Sequence, residues 1–382
     1  MKAIALVDAP DHVCCRYRIR AFEPALRRSG CDLEYQSTGS GLLGRWLRLR
    51  RLPRVDTAIL QRKLLPNWHL QTLRRRVDRL VFDFDDAVLY RDSYDARGPV
   101  DPRRASRFAA TVRAADQVIA GNDFLADCAL RAGARPDQVR VIPTCVDPTR
   151  YPCRAGERDP GDLALVWIGS SSTLQGIIHR RPLWERLARV IPRVRMRLIC
   201  DQAADLGAMP VEFVRWSEDT EAIELARGGV GISWVPDDLW SRGKCGLKIL
   251  QYQAASLPVV TNPVGVHPEM VVPGVTGALA ETDDEWAEAV MELASRPEQR
   301  INMGRAARSA VERAYSVEAW EGAFVAAVRG SGPLPPPNFP RREGHSDAQG
   351  THRPGIDMPR RGNAEQARTW SAERLASGGA TG

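Results

Sequence analysis

The sequence predicts an α/β protein of two Rossmann-like halves followed by a polar tail. Three observations carry this: two stretches in which short β-rich apolar runs alternate with helical patterns, a Pro-, Gly-, Arg- and Asp-rich break between them, and a change of composition near residue 330. Strand patterns alternating with helical ones are the signature of βαβ units and parallel sheets. The length of 382 residues exceeds one typical domain of roughly 150 and fits two with an extension.

The first half opens on Lys2 to Val7, a buried strand whose apolar run ends at Asp8 without the longer core and small-residue cleavage site of a signal peptide. Further strands are expected at Thr57 to Gln61, Arg79 to Phe82, Gln117 to Ala120 and Arg140 to Ile142. Thr144 to Gly161 has no apolar periodicity and reads as the linker, giving a first domain of residues 1–155. In the second domain, residues 156–315, strands are expected at Leu163 to Ile168, Val194 to Ile199, Val211 to Val214, Val230 to Ser233 and Pro258 to Thr261. A last helical pattern occupies 316–330. Residues 331–382 are polar, Arg-rich and poor in aliphatics, and such a composition buries too little apolar surface to offset the entropy of ordering, so a disordered tail is expected.

No apolar run approaches the roughly 18 to 20 residues that cross a bilayer. Eight cysteines lie scattered without a C-x-x-C pair, which points away from a zinc site or disulfide framework and fits a reducing cytoplasm. The net charge of +7 suits nucleic acid, anionic lipid or phosphorylated substrates and does not choose among them. Lysine, however, occurs only at Lys2, Lys63, Lys244 and Lys248, and two of these fall in one short loop.

That loop, Trp240-Ser-Arg242-Gly243-Lys244-Cys-Gly246-Leu-Lys248, leads into a helix expected to start near Gly246. Lys248, Gln251 and Tyr252 are spaced i, i+3, i+4 and share one face, with Leu250 and Ala254 on another. Cations at a helix N-terminus oppose the helix dipole. The arrangement becomes favourable if an anion such as a diphosphate is bound there by amides, dipole and ammonium groups together. A solvated basic turn before a core helix has the same spacing, and a lone G-x-x-G does not separate the two readings.

Residues 243 to 266, Gly-Lys-Cys-Gly-Leu-Lys-Ile-Leu-Gln-Tyr-Gln-Ala-Ala-Ser-Leu-Pro-Val-Val-Thr-Asn-Pro-Val-Gly-Val, resemble the donor-binding signature of retaining glycosyltransferases of family four. They are nearest a branch with G-K-C-G-F-K-L-L-Q-Y-M in this place. Gly274-Val-Thr-Gly277, Trp286, Met303-Gly304 and Tyr315-Ser-Val-Glu-Ala-Trp320 extend the likeness. So do Cys15-Arg16-Tyr17-Arg18, Asp83-Phe-Asp85-Asp86, Ala120-Gly-Asn122, Ile142-Pro-Thr144 and Trp167-Ile-Gly169-Ser170-Ser171-Ser-Thr173, over about residues 1 to 330. The resemblance implies a GT-B fold, in which the two Rossmann-like domains face each other across a cleft and the 316–330 helix crosses back to the first. It implies transfer of a sugar from a nucleoside-diphosphate sugar to an acceptor hydroxyl with retention of configuration, in cell-surface polysaccharide or glycolipid synthesis, with no cofactor and no metal. Donor contacts would come from Gly169, Ser170, Ser171, Thr173, Trp216, Arg242, Gly243, Lys244, Gly246, Lys248, Gln251 and Tyr252. Acceptor contacts would come from His12, Arg16, Tyr17, Asp83 and Asn122.

Two departures stand out. The wider family carries two glutamates eight positions apart, and here those positions are Gly243 and Gln251; glutamine still hydrogen-bonds hydroxyls but offers no carboxylate. The Arg and Lys that many members place after the first strand of the second domain are replaced by Ser170, Ser171, Ser172 and Thr173, leaving Lys248 the main cation.

The acidic run Asp83-Phe-Asp85-Asp86 closes a buried strand, where ligands bind in open α/β sheets, and clustered acids suit proton handling. A capped strand end and a D-x-D metal site of the single-domain transferase type are competing readings. The metal reading is disfavoured because the cluster lies in the opposite half from the lysines, which with the helix dipole already supply countercharge. Asp85 and Asp86 occupy the place where the resembled family keeps a His-Asp pair near the reacting centre, and the resemblance thus implies that they lie beside the acceptor hydroxyl, as catalytic residues with Lys248. Asp237 and Asp238 could bind sugar hydroxyls or form a solvated turn. The stretch from Leu42 to Arg54 puts Leu42, Leu43, Trp46 and Leu47 on one helical face among arginines, fitting either peripheral contact with anionic membrane for a lipid-linked acceptor or packing on its own domain. Rivals to sugar transfer are an epimerase or hydrolase on the same fold and a basic nucleic-acid-binding protein; no nucleic-acid motif supports the last.

Overall fold

The computed structural model describes residues 1–39, 41–153 and 163–330. The expected domain boundary at 155/156, part of the expected linker and the expected tail 331–382 fall outside them.

Two six-stranded sheets form, all pairs parallel. The first contains β1 (Lys2–Val7), β2 (Asp32–Ser37), β3 (Val55–Gln61), β4 (Val77–Phe84), β5 (Gln117–Ala120) and β6 (Val139–Val141), in the order β2-β1-β3-β4-β5-β6. The second contains β7 (Leu163–Ile168), β8 (Val194–Cys200), β9 (Val211–Arg215), β10 (Val230–Ser233), β11 (Val259–Thr261) and β12 (Gly277–Leu279), in the order β12-β11-β10-β7-β8-β9. All ten expected strands are present. The two unexpected ones, β2 and β12, are sheet edges: β2 reads Asp-Leu-Glu-Tyr-Gln-Ser and β12 has three residues, so neither carries the apolar run of a strand buried on both faces.

Alternation along the strands divides each core in two. Leu80, Phe82 and Phe84 of β4 face one layer, where the rings of Phe82 and Phe84 stack at 5.0 Å and Phe108 meets Phe84 edge-on. Val81 faces the other layer with Val7, Ile59 and Ile119. In the second sheet Leu165 and Trp167 face one layer, Val166 and Ile168 the other.

Helices follow the strands at their C-terminal ends: α1 (Val13–Arg18) after β1, α2 (Leu42–Arg51) after β2, α3 (Asn67–Arg74) after β3, α4 (Asp123–Arg131) after β5, α5 (Ser171–His179) after β7 and α6 (Glu221–Ala226) after β9. Helix α7 (Leu247–Ala254) precedes β11, and α8 (Val317–Arg329) is the last described element. The chain crosses between the sheets twice, side by side, with Val146 N–H donating to Tyr315 O and Val317 N–H to Val146 O, each at 3.0 Å. Helix α8 then packs on the first sheet through Trp320, Phe324 and Val328, with Phe324 stacked on Phe22 at 4.4 Å. Among the described residues no helix is long and apolar enough to cross a membrane.

Candidate active site

In each sheet the strand order reverses direction at one point, between β1 and β3 in the first and between β7 and β10 in the second. In open parallel sheets ligands bind beyond the strand C-termini at such a point. The residues singled out in the sequence cluster at these ends.

At the first sheet, Asp85 and Asp86 follow β4 and are each 8% exposed. Arg62, just past β3 and in the left-handed region at φ 55°, reaches both: Nε to Asp85, and Nη1 to Asp86 Oδ2 at 2.7 Å. Burial alone would raise the Asp85 carboxyl, but the guanidinium beside it prevails and holds it below its ordinary value. Lys244 of the second half lies 3.1 Å from Asp86 Oδ1, so the acids are bridged to the lysine loop. Asp83 differs. It points to the other face of β4, is fully buried and accepts from Arg18 Nη2 at 2.6 Å, while Arg18 also donates to Ile142 O at 2.7 Å. Its expected acceptor contact is corrected to a core ion pair, because strand alternation turns it away from its neighbours Phe82 and Phe84 and under α1.

The lysine loop is shaped by its glycines. A β-carbon at Gly243 would fall 2.6 Å from Ala87 Cβ, so this position has no room for a larger side chain. Gly246 caps α7 at φ 65°, a left-handed conformation that a Cβ disfavours. Asn122, the N-cap of α4, donates through Nδ2 to Lys244 O at 3.2 Å and so holds the loop from the first domain. Arg242 is paired with Asp237 at 2.8 Å, and Asp238 caps the preceding turn by accepting from Ser241 N–H at 2.7 Å. Lys248 in the first turn of α7 sits over the Trp167 ring at 5.4 Å and has no carboxylate partner among the described residues. Burial, then the neighbouring Lys244, lowers it to about 8. The same burial keeps nearby His267 neutral, at about 4, with Nδ1 2.8 Å from Thr261 Oγ1.

The second helix start is occupied differently. Ser171 N–H and Oγ both bind Asp201, at 2.6 and 2.9 Å, while Ser170 and Ser172 bond each other and Thr173 donates to Ser170 O. Gly169 precedes them at the end of β7, where Trp167 and Thr173 press close.

The expected polar face of α7 is not a solvent-facing one. Tyr252 is fully buried and its hydroxyl accepts from Ile168 N–H at 3.0 Å and donates to Ile232 O at 3.1 Å, which corrects its expected donor contact to a core role. Gln251 is also buried and donates to Tyr17 Oη at 3.0 Å. Around that hydroxyl gathers a polar cluster from both halves. Tyr17 bonds Glu221 and Tyr151, each at 2.9 Å, Arg16 donates to Glu221 at 2.8 Å and pairs with Glu218 at 2.9 Å, and Trp216 Nε1 donates to Glu221 at 2.9 Å. Arg16 Nη1 is buried with no hydrogen-bond partner among the described residues. His12 is exposed and caps α1 through Nδ1. Residues expected to divide between acceptor (Arg16, Tyr17) and donor (Trp216, Gln251) thus meet in one cluster. Arg62, Glu221 and Asp201 escaped the sequence reading. Arg62 alone left a trace, as a basic pair with Lys63 at a strand end.

Comparison with known proteins bears on these features. Residues 211–310 match the family model described as Glycosyl transferases group 1. A D-inositol 3-phosphate glycosyltransferase from Saccharomonospora viridis is 29% identical over 231 residues, 53% of this chain and 53% of that protein. The chain thus spans about half the length of the curated relatives it matches. Among solved structures, the sucrose-phosphate synthase of Thermosynechococcus elongatus superposes with a TM-score of 0.68 at 16% identity, over 86% of this chain and 98% of its own. The Anabaena protein Alr3699/HepE, solved in complex with UDP-glucose, gives 0.58 at 16% identity, over 87% and 100%. The fold is therefore GT-B, two Rossmann-like domains, and the stretch matching the group 1 family contains the whole lysine loop and α7.

Proposed function

We propose that this chain is a retaining glycosyltransferase that takes a sugar from a nucleoside-diphosphate sugar held by the second domain and passes it to an acceptor hydroxyl presented by the first. The observation that carries the reading is Lys248, a cation without a carboxylate partner among the described residues, in the first turn of α7 at the C-terminal edge of the second sheet. Diphosphate there meets the helix dipole, the first-turn amides and the ammonium together. The same groups stabilise charge as the nucleoside diphosphate leaves.

The Lys244–Asp86 contact gives the two substrates a means of communication. Lys244 belongs to the donor loop and Asp86 to the acceptor edge. A donor diphosphate draws Lys244 toward itself and leaves Asp86 to accept a hydrogen bond from the acceptor hydroxyl, while Arg62 keeps Asp85 ionised. Gln251 and Trp216 take the nucleoside side, and opening of the Arg16–Tyr17–Glu221 cluster admits it. Retention follows from an oxocarbenium-like transition state in which the departing phosphate guides the incoming hydroxyl. Countercharge from Lys248 and the helix makes the reaction metal-independent on this reading.

Thermal-shift screening of the full chain against UDP-, GDP-, ADP- and TDP-sugars, with EDTA present throughout, tests the reading. One nucleotide sugar is expected to raise the melting temperature, since a ligand at about a hundred times its Kd adds about 2.7 kcal/mol. No stabilisation by any of them, or stabilisation that appears only when a divalent ion replaces EDTA, would overturn the corresponding part of the proposal.

A further inference from the structure

Helices α2 and α3 begin just past the C-terminal ends of β2 and β3, so their first turns lie at the same edge of the first sheet as Asp85 and Asp86. His69 Nε2 of α3 lies 3.0 Å from Leu42 O of α2 and joins the two starts, and the rings of Trp46 and Trp68 meet at 6.1 Å. The apolar side chains at this corner do not turn inward. Leu42 is 55% exposed, Leu43 66%, Leu47 37% and Trp68 44%, whereas Leu49 and Leu52 hold the helix to the domain core.

The charge around them is one-sided. Residues 42–54 contain Arg45, Arg48, Arg50, Arg51 and Arg54 and no acid. Arg45 donates to Thr38 O and Gly39 O and shapes the preceding loop, and Arg50 lies over the Trp46 ring at 5.1 Å. Arg48, Arg50, Arg51 and Arg54 are exposed and have no carboxylate partner among the described residues. Exposed leucines ringed by unpaired arginines favour an occupant that is apolar inside and anionic at its surface. A second copy of the chain would bring like charges together, and a nucleic acid would leave the leucines in water.

We propose that Leu42, Leu43, Leu47 and Trp68, with the unpaired arginines of α2, dock this domain on an anionic lipid bilayer. Docking sets the edge that bears Asp85 and Asp86 beside the membrane, so the acceptor is lipid-anchored, with its hydroxyl near the headgroups. The surface stands by itself, and the acceptor class rests on the transfer reading above. The test is co-sedimentation of the full chain with vesicles of phosphatidylcholine alone or mixed with phosphatidylglycerol, at low and high salt. Wild-type protein is expected to sediment with the mixed vesicles, to be released by salt and to leave neutral vesicles largely unbound. Leu42→Glu with Leu43→Glu should lower partition by roughly tenfold, and Trp68→Ser, on a different helix, should lower it too. Nucleotide-sugar thermal shifts should be unchanged in both variants. Unchanged partition in both variants, equal binding to neutral vesicles, or a dimer in light scattering that the leucine variant abolishes would overturn the docking surface. Absence of any nucleotide-sugar shift in the wild type would instead overturn the transfer reading and leave the lipid result intact.

Discussion

Two helix N-termini in the second domain carry the same dipole and are used in opposite ways. At the start of α5 the protein supplies its own anion: Asp201 accepts from the Ser171 amide and hydroxyl. At the start of α7 it supplies a cation instead, Lys248, lowered to about 8 by burial and by Lys244 beside it. A carboxylate at a helix start is self-sufficient, whereas a half-buried lysine there opposes the dipole and costs stability until an anion joins it. On the proposed reading, the difference makes α7 the anion-binding start and α5 a structural neighbour.

The comparison breaks most severely at Gly243, which lets the α7 loop lie against Ala87. Gly243→Glu adds a carboxylate but places a β-carbon where Ala87 already is. Displacing the loop by about an ångström should lower kcat/KM about a hundredfold, with the fold intact by circular dichroism. Near-wild-type kinetics would show that the contact with Ala87 is dispensable. The next effect is on pH. Bound diphosphate favours the charged ammonium of Lys248, so donor binding takes up a proton wherever the free lysine is neutral. Donor affinity is therefore full only below about pH 7 and should fall about tenfold from about pH 7 to about pH 9, read from Kd by calorimetry, and Lys248→Arg should flatten the profile. The smallest effect belongs to α5: Asp201→Asn should change donor Kd by no more than about threefold, since Asp201 is largely exposed and serves one turn. A large loss there would mean that α5 contacts the donor.

The sheets were largely legible because central parallel strands are apolar on both faces and announce themselves as runs such as Leu163 to Ile168. Edge strand β2, half polar, and three-residue β12 gave no such signal. The α7 motif was legible as a loop and a helix start, but helical spacing gives only the angle at which a side chain leaves the axis, not what packs there. Tyr252 and Gln251 share an angle with Lys248 and nevertheless reach Ile232 O and Tyr17. Asp83 was misjudged for a related reason: three acids in a row of four residues read as one cluster, and the strand sends one of them to the opposite face. Arg62, Glu221 and Asp201 act through partners brought close by sheet order or by contact of the two halves, and no local pattern encodes that.

Binding of the nucleotide alone puts the central claim to its most direct test. Titration of the preferred nucleoside diphosphate into wild type and Lys248→Ala by calorimetry, near pH 7, should show affinity at least about tenfold weaker in the variant, about 1.4 kcal/mol, with the melting temperature of the free protein preserved or raised. Equal affinities would contradict the assignment of the diphosphate to the first turn of α7.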